Sequence, residues 1–282
     1  MADSVKSLKI LVGNFIVNAR VDFCLTITTI PFTVIHHLYF RQESSKLNVE
    51  YYYEDGIHDD GRPSYQRWTK QSFSERDWLQ HFMSIFNQNQ MELHCYSNTF
   101  PVEWIYSIVK DFKISRLVTN FVNCPKYTVD LLKRFPTVES MGTECSDSQI
   151  LTSNFQNLTI MKNDFNLDSL LSANCISFSL NSCMSSRNLN RFLRLWMRGT
   201  NSRMRTFWLH NHQEWRRNEE ETFQEHIVMK GIEYRKIPEE REFKIDGFIY
   251  LYQDGMDIRR KDGTKATVII DNEYLFIFHV WM

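Results

Sequence analysis

One alternation constrains this chain more than any other feature of it. Between Met91 and His212, short apolar strand-like runs are separated by helix-like segments, and successive strands begin roughly 18 to 29 residues apart. The strands expected are Glu92 to Tyr96, Arg116 to Phe121, Val138 to Thr143, Leu158 to Lys162, Ile176 to Leu180 and Arg205 to His210. The helices between them are Val102 to Phe112, Thr128 to Phe135, Asp147 to Phe155, Leu167 to Ala173 and Asn188 to Arg198. Strand, helix, strand at this spacing implies parallel strands side by side, with the helices packed on one face.

The spacing is close to that of leucine-rich repeat units, although no L-x-x-L-x-L-x-x-N pattern recurs cleanly, so residues 91–212 read as a leucine-rich-repeat-like solenoid. Residues 1–90 read differently. Lys9 to Val12, Phe15 to Val17, Val21 to Ile27, Thr33 to Phe40 and Leu47 to Tyr53 show strand character, and an antiparallel meander is expected. Asp55-Gly56, Asp60-Gly61 and Pro63 mark a polar loop. Beyond it Ser74 is placed to cap a helix from Glu75 to Asn87, with Trp78, Leu79, Phe82, Ile85 and Phe86 on one face. Residues 213–242 carry Arg216-Arg217-Asn218-Glu219-Glu220-Glu221 and read as a solvated connector. Residues 243–282 return to strands, broken by Asp246-Gly247, Asp254-Gly255 and Asp262-Gly263, pairs that supply the positive φ of tight hairpins. The expected class is thus mixed α/β (α+β): an antiparallel N-terminal region, a central strand/helix solenoid and C-terminal β-hairpins.

With 282 residues, 43% of them hydrophobic, the chain can bury a sizeable core. No run approaches the roughly 18 apolar residues of a membrane crossing, and the first residues do not read as a secretory signal. Cys24, Cys95, Cys124, Cys145, Cys175 and Cys183 are scattered without a C-x-x-C pair, which fits reduced thiols in a cytoplasmic or nuclear protein and no zinc site. The sequon Asn157-Leu158-Thr159 is then coincidental. A formal charge of −1 provides no global field for a polyanion.

No chemistry-bearing motif stands out. His210-Asn211-His212 lacks further ligands, and His36-His37 point to opposite strand faces. Glu54-Asp55, Asp59-Asp60 and Asp254 with Asp257 do not match a calcium loop. There is no G-x-S-x-G, P-loop or G-x-G-x-x-G, so no enzyme and no cofactor are expected. The one nucleic-acid-like feature is the Arg-rich helix and turn 187–205, with Arg187, Arg191, Arg194, Arg198, Arg203 and Arg205 interleaved with Phe192, Leu195 and Trp196. The simpler reading is an amphipathic helix: Leu189, Phe192, Leu193 and Trp196 form a core face, and the arginines recur on another.

That helix ends at Gly199, where a left-handed turn is expected before the strand Met204 to Leu209. The run Leu189-Asn190-Arg191-Phe192-Leu193-Arg194-Leu195-Trp196-Met197-Arg198-Gly199-Thr200-Asn201 resembles the "LN-x-FL-x-x-W-x-x-G-x-N" signature of the F-box associated domain, type 2, of nematode F-box proteins. Leu167-Asp168-Ser169-Leu170-Leu171 with Asn174-Cys175 resembles the family's "D-x-LL-x-x-N-C" segment. Asp257 to Thr267 resembles its closing "D-I-x-R-x-D-G-x-x-A-T" hairpin, and Val280-Trp281 its terminal "VW". The resemblance covers about 151–209, and Ser202 stands where a proline is common. It implies a substrate-recognition part of a cullin-based ubiquitin ligase. Such proteins open with an F-box that docks on a Skp-type adaptor; here Ser4-Val5-Lys6-Ser7-Leu8-Lys9 alone looks like its trailing edge, which leaves the adaptor contact without its usual segment.

In parallel strands of this kind the alternate residues point away from the helices. That nominates His94, Tyr96, Thr159, Met161, Ser177, Ser179, Trp208 and His210 as contacts for a protein partner.

Overall fold

The computed structural model of the chain describes residues 4–13, 22–30, 35–43, 46–54, 65–69, 72–85, 87, 89–96, 98, 100–120, 124–162, 165–211, 223–245, 248–271 and 274–281. They fall into two units, Met1–Val138 and Glu139–Met282. The whole is mixed α/β, with parallel and antiparallel strand pairs and several helices.

The first unit opens on five strands, β1 (Ser4–Gly13), β2 (Asp22–Ile30), β3 (Ile35–Glu43), β4 (Lys46–Glu54) and β5 (Tyr65–Thr69). Each pairs antiparallel with the next, the meander that β-branched and aromatic alternation implies. The expected strand Phe15 to Val17 and the Asp-Gly pairs of the following loop lie outside the described residues. Helix α1 (Glu75–Ile85) starts at a reciprocal cap: the Ser74 backbone N–H and hydroxyl both donate to Asp77 Oδ2, at 2.8 and 2.7 Å, and the Asp77 N–H donates back to Ser74 Oγ. Those bonds to the ionised carboxylate hold Asp77 below the usual Asp range. The buried face is Trp78, Leu79, Phe82 and Met83, whereas Ile85 is 58% exposed. The helix stops short of Asn87, which takes the left-handed conformation at φ +49°. Then come β6 (Gln90–Cys95), α2 (Val102–Val109), β7 (Lys113–Thr119) and α3 (Pro125–Arg134), with β6 parallel to both β1 and β7. β7 starts earlier than the expected Arg116, because Ile114 is already buried.

In the second unit strands and helices alternate: β8 (Ser140–Thr143), α4 (Ser148–Leu151), β9 (Asn157–Met161), α5 (Leu167–Ser172), β10 (Ser177–Asn181), α6 (Ser186–Arg198) and β11 (Thr206–His210). The pairs β8–β9, β9–β10 and β10–β11 are parallel. Each helix opens on a side-chain cap to a free N–H: Asp147 to Gln149, Asn166 to Ser169, Ser185 to Asn188. The sheet then continues antiparallel through β17 (Leu275–Val280), β16 (Lys265–Asp271), β15 (Gly255–Arg259) and β12 (Arg235–Ile237). A separate hairpin consists of β13 (Arg241–Ile245) and β14 (Phe248–Tyr252).

The described part of 213–242 is not a solvated connector. Its short helix α7 (Glu225–Val228) lies against α6, and Phe223, Val228, Met229, Ile232 and Ile237 are buried. These apolar residues are spaced among charges too sparsely for a sequence window to register them. At the two described Asp-Gly pairs, the positive φ falls on Asp254 (+56°) in one and on Gly263 (+89°) in the other.

Candidate functional site

The sheet of the second unit has two unlike faces. One is packed under the helices: Leu158, Ile160, Phe178, Leu180, Phe207, Leu209, Phe276 and Phe278 are all buried. Phe192 of α6 stands edge-on to Phe207 at 5.3 Å and to Phe278 at 5.5 Å, and Trp196 meets Phe278 at 4.9 Å. Leu189, Phe192, Leu193 and Trp196 are wholly buried, each contributing about 1.5–3 kcal/mol by removal from water.

The polar members of the 189–201 run are also structural. Gly199 caps α6 at φ +116°. Asn190 Nδ2 donates to the carbonyls of Val228 (2.7 Å) and Lys230 (2.9 Å), tying α7 to α6. Asn201 Nδ2 faces the carbonyls of Leu170 and Leu171, both at 3.2 Å, and of Ala173 at 3.4 Å, which satisfies the end of α5. Arg260, from the β15–β16 turn, donates Nε to the Trp196 carbonyl at 3.0 Å and Nη2 to the Thr200 carbonyl at 2.6 Å. The family-like run therefore builds the core and satisfies helix ends.

The other face of the sheet carries six of the eight nominated contacts. Register places Thr159, Ser179 and Trp208 side by side, and Met161 and His210 on either side of Asn181 in the next row. Ser177 lies one row the other way, beside Asn157 and Thr206. The five apart from Trp208 are half-buried and belong to a shallow polar surface. Trp208 has a different setting. The β13–β14 hairpin packs over this part of the face, with Phe243, Ile269 and Ile277 as a buried cluster and Trp208, Tyr250, Tyr252, Leu275 and Trp281 around it. Trp208 meets Tyr250 edge-on at 4.7 Å, and its indole N–H is buried without a hydrogen-bond acceptor among the described residues. It forms a wall beside the polar surface more than a free contact. The remaining two, His94 and Tyr96, sit on and just after β6 in the first unit. His94 Nε2 is 2.9 Å from Glu92 Oε2 and its Nδ1 is 3.3 Å from the Tyr96 hydroxyl, while partial burial raises the Tyr96 phenol.

Sequence reading missed the end of this face where β16 and β17 meet the hairpin. Arg205, Arg241, Glu242, Asp257, Gly263, Thr264, Lys265 and Trp281 line an open cleft of about 950 Å³. At its floor Arg241 Nη1 pairs with Asp257 Oδ1 at 2.9 Å, Thr267 donates to the same carboxylate at 2.6 Å, and Trp281 Nε1 donates to Thr267 at 2.8 Å. No motif flagged it, because its residues come from five separate segments.

Cys95, Cys124, Cys145, Cys175 and Cys183 are free thiols. Burial raises the thiols of Cys95 and Cys145 and pushes that of Cys175 up to about 12, the reverse of what a nucleophile needs. Among the described residues no three His, Cys, Asp or Glu side chains gather where they could hold a metal, and no helix is long and apolar enough to cross a membrane. Of the arginines in 187–205, Arg187, Arg191, Arg194 and Arg198 are exposed, Arg194 donates to the Gly231 carbonyl, and Arg203 bonds Asn154.

Residues 148–209, which hold helix α6, its left-handed glycine turn and the strand after it, match the family described as F-box associated. Across most of its length the chain is similar to the F-box associated domain-containing protein sdz-33 of Caenorhabditis elegans. The two are 26% identical over 272 residues, covering 91% of this chain and 82% of that protein. No solved structure matches. The resemblance carried by Leu189 to Asn201 is thereby borne out.

Proposed function

We propose that the chain is a non-catalytic protein-recognition module, comparable to the substrate-binding part of F-box proteins, acting in the cytoplasm or nucleus. In this reading β8–β11 and their helices form a leucine-rich-repeat-like array within the region 91–212. The polar face of Thr159, Met161, Ser177, Ser179 and His210 then meets the partner. One observation carries it: the residues of the family-like run are consumed in packing and capping, while Thr159, Met161, Ser177, Ser179 and His210 on the opposite sheet face are only half-buried. The match to an F-box associated family supports a protein partner. The alternative, nucleic acid on the Arg-rich helix, has less support, since Arg194 and Arg203 are bonded to neighbouring groups of the fold. A photoreactive benzoylphenylalanine placed at Thr159 or at Ser179 of the full chain should capture a discrete protein adduct in cells, and the same residue at Arg191 of α6 should not. Adducts at Arg191 alone, or none at the sheet positions, would overturn the reading.

A further inference from the structure

The cleft beside the hairpin has an uneven charge balance. Asp257 is neutralised by Arg241 and accepts a hydrogen bond from the Thr267 hydroxyl, so the ion pair adds no net charge. What is left is Arg205 and Lys265 against Glu242. Neither cation has a carboxylate partner among the described residues. Their backbones straddle the end of β17: the Val280 N–H donates to the Arg205 carbonyl at 2.8 Å and the Trp281 N–H to the Lys265 carbonyl at 3.0 Å. Two strand spacings separate them, about 10 Å. The Trp281 ring stands on the strand between them, held from behind by its bond to Thr267 and by the Arg241 guanidinium 5.7 Å from its centroid.

We propose that this cleft binds an acidic, extended segment of the protein partner, with one carboxylate on Arg205, a second on Lys265 and the backbone between them over Trp281. The inference rests on the reading of this sheet face as a recognition surface and names the chemistry of what is recognised. Cations whose backbones lie about 10 Å apart suit two anionic groups on one chain better than a single small anion; side chains two or three residues apart on an extended peptide span about 7–10 Å. Asp257 and Thr267 at the cleft share one cross-strand row with His279, Thr206 and Ser177, so the cleft lies on the proposed face. The weak repulsion from Glu242 falls on the outer rim, where it is solvated.

The test is fluorescence polarisation of a fluorescein-labelled octaglutamate peptide with the full chain at low ionic strength, and octalysine as the reversed-charge control. Arg205→Glu with Lys265→Glu should weaken octaglutamate binding at least tenfold, and Arg205→Gln with Lys265→Gln provides the same test with less electrostatic insult to the fold. Glu242→Gln should strengthen it severalfold, and Arg191→Glu with Arg198→Glu on α6 should leave it unchanged. Equal binding by the cleft variants, or equal loss in the α6 variant, would overturn the proposal. So would a single-stranded oligonucleotide of eight phosphates that outcompetes octaglutamate at this cleft. If photocapture at Thr159 and Ser179 persists while octaglutamate fails to bind, the recognition face stands and only the acidic chemistry is wrong.

Discussion

The guanidinium of Arg260 lies over the indole of Trp196, 4.8 Å from its centroid, joining the closing hairpin to the helix whose sequence is most family-like. Arg260 is only 9% exposed and Trp196 is fully buried. Its two hydrogen bonds go to the carbonyls of Trp196 and Thr200, at the C-terminal end of α6, where the helix dipole is negative; the Trp196 carbonyl also accepts from the Gly199 N–H. A single cation therefore caps the helix, stacks on its largest core side chain and fixes the β15–β16 turn. Arg260→Ala is expected to lower stability by about 2–3 kcal/mol, from the loss of two charge-assisted hydrogen bonds and of the stacking on Trp196. Arg260→Lys should recover less than half, since an ammonium has no planar fork to reach two carbonyls. Urea denaturation of the three proteins measures both.

Asn201 makes a comparable link from the other side of the turn. It holds a left-handed φ of +48° while its amide satisfies the end of α5. Asn201→Asp keeps the conformation and loses the donor, so it should cost about 1–3 kcal/mol. Asn201→Ala loses the donor and adds backbone strain, and Asn201→Gly loses the donor alone. The expected order of urea midpoints is Asn above Gly above Ala; an Ala variant as stable as the Gly variant would show that strain is absent.

How much of this was legible in sequence depends on the range of the interaction. The α6 face, its Gly199 stop and the Ser74 cap follow from residues three to thirteen apart, and the structure shows them as read. The alternation of Thr159, Ser177 and Ser179 with buried neighbours was readable for the same reason. Trp208 was read as an open contact because only the β13–β14 hairpin, far along the chain, reveals that it is covered. The same holds for Arg260: as a cation in a charged turn it resembles a solvated residue, and its burial depends on a helix that ends more than sixty residues earlier. The cleft at Arg205, Arg241 and Lys265 depends wholly on such long-range assembly.

His279 predicts a pH dependence. It is half-buried between Phe243 at 5.3 Å and Trp281 at 5.0 Å, and its Nδ1 is buried with no hydrogen-bond partner among the described residues. Burial disfavours the imidazolium and lowers its pKa below 6.5. Above that value both folded and unfolded chains hold it neutral, and its contribution to stability is complete. As pH falls through 6.5 the unfolded chain takes the proton first, and stability declines until the folded value is passed. Thermal midpoints between pH 7.5 and 5 should fall more steeply for the parent than for His279→Gln; parallel slopes would refute the assignment.

Trp208 separates the packing of the sheet face from its use in recognition. Its ring lies against Tyr250 and the Phe243 cluster, so Trp208→Ala should open a void and cost about 3–5 kcal/mol. Release of the hairpin would then expose residues 241–252 to limited proteolysis. Trp208→Phe gives up some ring area but also removes a buried N–H that has no acceptor among the described residues, a group whose burial costs about 1–3 kcal/mol. The two effects oppose, and the Phe variant should stay within about 1 kcal/mol of the parent, a size typical of conservative core replacement. Because Thr159 and Ser179 share a row with Trp208 but not its hairpin cover, photocapture at those positions should persist in Trp208→Phe. Its loss in a variant whose urea midpoint is unchanged would make the indole N–H itself part of the recognition surface, with the partner supplying the acceptor that the fold withholds.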